Sequence, residues 1–173
     1  LCTLLSGLIA LSVSASAHRT AGLVSVETLF YPFSLLTSAL MLGAVATGMS
    51  LGHWYLIELG LSLEPFKRAF KFYAGTIVVH LATLVLGLLL LLVFGNEETQ
   101  AQLGTLWADH QTLFLMRFGL GPLASLGVAY MIWRTLQIPQ TMAATGLFYV
   151  ALLAAIVGEF LGRFLLFRTS LPL

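Results

Sequence analysis

Long apolar runs constrain this chain more than any other feature. Stretches at about 1–17, 34–61, 70–94, 111–136 and 140–168 meet or approach the roughly 20 apolar residues that cross about 30 Å of hydrocarbon. Within hydrocarbon every backbone N–H and C=O must find its partner inside the protein, which leaves the helix as the default for such a run. The expected fold is therefore an all-α integral membrane bundle of about five transmembrane helices, with residues 1–173 forming one domain. The residue usage agrees, with 59% hydrophobic and 9% charged residues against roughly 25% charged in soluble domains.

The first run ends in Ala15-Ser16-Ala17, which imitates a signal-peptidase site. No basic stretch precedes it, so it is expected to be a helix of the bundle with further residues upstream. Orientation follows from the basic side chains, which gather in short cytoplasmic loops. Lys67, Arg68 and Lys71 surround the second connection, whereas the segment 95–110 carries Glu97, Glu98 and Asp109 without Lys or Arg. The 62–69 loop is expected in the cytoplasm and the 95–110 loop outside. A net charge of +1 with no basic tail argues against nucleic acid as a partner. A single cysteine, Cys2, excludes a disulfide framework, a covalent c-type haem and a cysteine-held iron–sulfur cluster within these residues.

Polar residues inside spans are costly in lipid and so mark sites. His53 and His80 fall in consecutive spans. Counted at 1.5 Å per residue from the expected connection, they lie about 12 and 15 Å deep. Two imidazoles at one depth can supply both axial ligands of a haem b iron, with the basic residues nearby for its propionates. The same histidines also suit a quinone pocket, a proton path or hydrogen bonds to neighbouring helices. Tyr73, near the inner face, is a further candidate for a quinone carbonyl. Glu58 lies nearer the surface and is expected to be solvated.

Arg117, Glu159 and Arg163 form a second group. Glu159 and Arg163 are four apart and share a helix face, and Arg117 falls at an overlapping depth. Burying such charges singly costs several kcal/mol, on the order that makes pairing close to obligatory. The expected arrangement is Arg–Glu–Arg across two helices, serving as an interhelical clamp or as a carboxylate that exchanges protons with a quinol.

The segment 157–167, VGEFLGRFLLF, resembles the closing helix of dimethyl sulfoxide reductase membrane anchors and NrfD-type quinone-interacting subunits. Glu159, Gly162 and Arg163 carry the resemblance. It implies a helical bundle that binds a quinone and connects it to an iron–sulfur protein, with lipid around it. The resemblance covers one helix of the five expected, and members of that group have more spans and need no haem. The paired histidines are instead similar to what small haem-b membrane subunits of hydrogenases use.

Both resemblances imply one expectation. The chain is expected to be a membrane subunit, in a bacterial cytoplasmic membrane, passing electrons between an iron–sulfur or cytochrome subunit and the quinone pool. The alternative is a non-catalytic accessory subunit of a respiratory or photosynthetic complex.

Overall fold

The apolar runs appear as long helices in the computed structural model, which describes residues 5–7, 9, 10, 13, 26–58, 60–138 and 140–171. Helix α1 is Val26–Ile57 and α2 is Glu64–Phe94. A shorter α3, Glu97–Asp109, precedes α4, Gln111–Phe118. One π-helical segment, Gly119–Leu123, joins α4 to α5, Ala124–Gln137, and α6 is Thr141–Thr169. Among the described residues, four spans are long and apolar enough to cross a membrane: α1, α2, the α4–π–α5 unit and α6. The described residues contain no strand. The helix expected over about 1–17 lies for the most part outside the described residues.

Local sequence sets the helix ends. Glu64 and Pro65 occupy the first turn of α2, where a carboxylate complements the helix dipole and proline lacks an N–H that would have no partner there. Helix α2 therefore starts at Glu64 rather than near residue 70, and Lys67, Arg68 and Lys71 belong to its first turns. At the other end of this connection α1 stops at Ile57. Tyr55 donates to the Ser62 carbonyl and stacks on Phe66 with ring centres 5.3 Å apart, which locks the turn. Helix α1 also begins earlier than the apolar run, at Val26, and carries Pro32 internally.

The segment 95–110, expected as a loop, is instead mostly the helix α3. Its apolar content is low overall but periodic. Thr99, Leu103 and Leu106 are buried at spacings of four and three, the pattern of a one-sided helix. The Gln100 amide donates to the Leu91 and Leu92 carbonyls at 3.2 and 2.9 Å, adding to the Gly95 N–H on Leu91 and satisfying the Leu92 acceptor that the end of α2 leaves open.

Large apolar side chains such as Phe33, Val79, Val93, Phe160 and Phe167 face outward, as they do when lipid is the solvent. Two apolar clusters fill the interior. Met41, Val45, Phe66, Tyr73, Ile132 and Phe148 belong to the one at the Lys71 end. Phe30, Leu91, Leu103, Leu106, Phe114 and Leu165 belong to the one under α3. Between the two lies a polar layer.

Candidate functional site

Four helices supply that layer. His80 of α2 has no exposed surface and Arg117 of α4 is 1% exposed. Arg117 Nη2 donates to Glu159 Oε1 of α6 at 2.8 Å and lies 3.1 Å from His80 Nε2. His80 Nε2 in turn lies 3.2 Å from Glu159 Oε1. The second carboxylate oxygen accepts from Ser38 of α1, and Arg163 Nη2 stands 3.8 Å from it while donating to Ser38 Oγ at 3.2 Å. Thr37 Oγ1 lies 3.1 Å from His80 Nδ1 and also donates to the Ser34 carbonyl at 3.1 Å.

The imidazole has partners in each tautomer. With the Thr37 proton on the Ser34 carbonyl, Thr37 Oγ1 accepts from Nδ1–H, and Nε2 accepts from Arg117. With Nε2 protonated, Glu159 Oε1 is the acceptor. Either tautomer of the imidazole thus leaves no buried ring nitrogen without a partner.

Backbone contact makes this convergence possible. Gly121 in the π segment and Gly158 on α6 touch closely enough that a Cβ built on Gly158 would stand 2.3 Å from the Gly121 Cα. Small residues let two spans approach in this way, and here the approach lies one turn from Arg117 and one residue from Glu159. The π segment contains Pro122 and carries the extra residue that such bulges insert. It changes the rotational phase between Arg117 and α5.

Arg117, Glu159 and Arg163 are thus brought together, and His80 joins them rather than His53. His53 is on the exposed side of α1, with its Nδ1 3.4 Å from the Tyr149 hydroxyl. The equal depth expected of the two histidines does not survive the helix ends. His53 is four residues from the end of α1 and His80 sixteen from the start of α2, about 6 and 24 Å along their helices. His80 pairs across to Thr37, sixteen residues from His53. Both His80 nitrogens are engaged, so this pair does not fit the two axial positions of one haem.

Tyr73 is buried in the Lys71-end cluster, against Phe148 at 5.7 Å between ring centres. Its hydroxyl faces that of Ser125 on α5. Glu58 is exposed just past the end of α1. Thr37, Ser38 and Gly158 were not singled out from the sequence. Adjacent hydroxyls in an apolar run and a glycine beside an intramembrane Glu were the available signals.

A groove of about 440 Å³ runs between α1 and α2, lined by Thr37, Leu40, Lys71, Phe72, Gly75, Thr76 and Val79. Its inner polar end is Thr37, the same residue that holds His80. Comparison with family models, curated proteins and solved structures finds no match to this chain.

Proposed function

We propose that this chain is the membrane subunit of a redox complex, passing electrons between a water-soluble iron–sulfur or cytochrome partner and the quinone pool. The quinone ring occupies the groove between α1 and α2. The observation that carries this reading is the link from groove to buried acid–base cluster: Thr37 lines the groove and hydrogen-bonds His80. The groove volume falls within the roughly 300–1,000 Å³ of small-molecule sites. Its walls are apolar, as a prenylated ring requires, and the Thr37 and Thr76 oxygens, which donate to the Ser34 and Tyr73 carbonyls, can accept from the ring hydroxyls of a quinol.

Quinone chemistry couples each electron pair to two protons, so a quinone site needs a group that exchanges protons out of contact with bulk water. His80 is that group in this reading, and Glu159 is the carboxylate beyond it. Arg117 holds the carboxylate in place through its hydrogen bond to Oε1. In this reading the partner subunit supplies or removes the electrons.

A second reading has its own observation. The cluster ties four helices together through mutually satisfied polar atoms, which is also what a purely structural clamp in an accessory subunit does.

Quinone binding separates the two. The purified protein is titrated with a short-chain quinol, following the fluorescence of its tryptophans, beside a Thr37→Val variant of equal fold stability. The quinone reading expects saturable binding that weakens about ten-fold in the variant, the scale of one lost hydrogen bond of about 1.4 kcal/mol. Absence of saturable binding to the wild-type protein leaves the clamp.

A further inference from the structure

Thr37 and Ser38 are consecutive on α1, so their side chains leave the helix about 100° apart. Thr37 turns to α2 and His80, and Ser38 turns to α6 and Glu159. Helix α1 therefore stands between two openings. One is the groove, whose α2 residues run from Val79 back to Lys71. The other is a cleft between α1 and α6 lined by Ser34, Ser38, Arg117, Glu159, Gly162 and Arg163. The space it offers to a water centre is about 10 Å³, roughly what one water needs. Its residues run from Glu159 toward the Thr169 end of α6 and from Ser38 toward the start of α1. The groove and the cleft thus approach the same cluster from opposite membrane faces.

Polar side chains share the cleft with Leu35 and Leu166, and it reaches the surface. The Arg163 side chain at its mouth is 44% exposed, against 8% for the Glu159 side chain behind it. The charged and hydrogen-bonding groups that face Glu159 are Arg117 from α4, His80 from α2, Ser38 from α1 and Arg163 from α6 itself.

We propose that the α1–α6 cleft is the proton port of the groove site, connecting Glu159 by way of a water to the membrane face at the Thr169 end. The source of the proton rests on the quinone reading above. When a quinol in the groove is oxidised, its two electrons pass to the partner's iron–sulfur or cytochrome centre. A hydroxyl proton passes to Thr37 Oγ1 as the Thr37 proton moves to His80 Nδ1. The Nε2 proton of His80 moves to Glu159 Oε1, and the carboxyl then gives a proton to the cleft water. The second hydroxyl proton follows the same path once the imidazole has turned back to its Nε2–H form, so two protons leave the cleft for the two electrons while the imidazole and the Thr37 hydroxyl stay neutral. Reduction of a quinone runs the same path in reverse. Arg163, which holds Ser38 and flanks Oε2, positions the carboxylate and narrows the port.

The experiment uses the full chain in proteoliposomes, with Cys2→Ala removing the native thiol. Ser34→Cys reports the cleft, Thr76→Cys the groove, and Lys67→Cys marks which face is the basic one. A charged, membrane-impermeant thiosulfonate is added to one face at a time. Ser34→Cys is expected to react at least ten-fold faster from the face opposite Lys67→Cys. No reaction from either face in a variant that keeps the wild-type melting temperature overturns the port, as does faster reaction from the Lys67 face.

Proton movement gives a second readout. The infrared carboxyl signal that Glu159→Gln removes is expected to follow a pH step applied to the Thr169 face alone, and a response to the Lys67 face overturns the proposal. Thr76→Cys is expected to react with a permeant maleimide and to be protected by a short-chain quinone. Loss of that protection with the Ser34→Cys asymmetry intact removes the quinone reading and leaves the port.

Discussion

At the scale of single residues, position relative to the polar layer decides what a substitution does. Gly158 is the sharpest case, because a methyl group there would meet backbone rather than a flexible side chain, with the Gly121 Cα 2.3 Å away. Overpacking of this kind costs about 1–3 kcal/mol. Gly158→Ala is expected to lower the melting temperature in detergent as Arg117 is pushed from Glu159. A melting curve equal to wild type would show that the two helices separate freely. The histidines divide in the same way. His80 is fully buried among charged groups, whereas His53 is exposed with one contact of 3.4 Å. His53→Ala is expected to change stability by no more than about 0.5 kcal/mol, the scale of surface substitutions. His80→Ala is expected to cost several times that, and denaturation of the two variants side by side checks the difference.

At the scale of elements, the π segment Gly119–Leu123 sets the phase between Arg117 and α5. Leu120 is exposed there, so its side chain contributes little packing of its own. Deleting it removes the extra residue of the bulge, and a regular helix would then rotate Arg117 by about 100° relative to α5. The deletion variant is expected to insert in the membrane and yet lose the Arg117–Glu159 pair, leaving a buried charge at a cost of about 3–5 kcal/mol. Thermal unfolding checks this, with Leu120→Ala as the control that keeps the bulge.

Helix α3 teaches a related lesson. Its charges read as a loop, and only three inward residues, Thr99, Leu103 and Leu106, mark the side that packs on the bundle. The helix ends moved for the same reason. Lys67, Arg68 and Lys71 are poor lipid residues but good helix residues, so the hydrophobic boundary and the helix boundary differ by about six residues at the start of α2.

At the scale of the whole molecule, the four candidate spans among the described residues, laid across a bilayer, put the start of α1 and the end of α6 at one face. Lys67, Arg68 and Lys71 lie at the opposite end, the one that the positive-inside bias leads us to expect in the cytoplasm. Single cysteines at Gln102 on α3 and at Lys67 are expected to react with an impermeant maleimide from opposite sides of intact cells, Gln102→Cys from outside. Labelling of both from one side would overturn the arrangement.

The spans themselves were legible because a bilayer admits few alternatives to a helix for an apolar run of this length. The charged residues Arg117, Glu159 and Arg163 were legible as a group because a lone charge in lipid is so costly that spacing and depth leave few partners. What these residues meet was not legible. His80 joins Glu159 instead of His53 because the helix ends shift the two histidines about 18 Å apart in depth, and because Gly121 and Gly158 let α4 and α6 touch. Ser38 and Thr37 enter because α1 happens to present both faces at that level. Membrane insertion, helical class and the cost of the buried charges follow from chemistry local to each segment. The polar layer, the groove and the cleft arise only where four helices cross, since helix phase and register depend on packing partners far away in the chain.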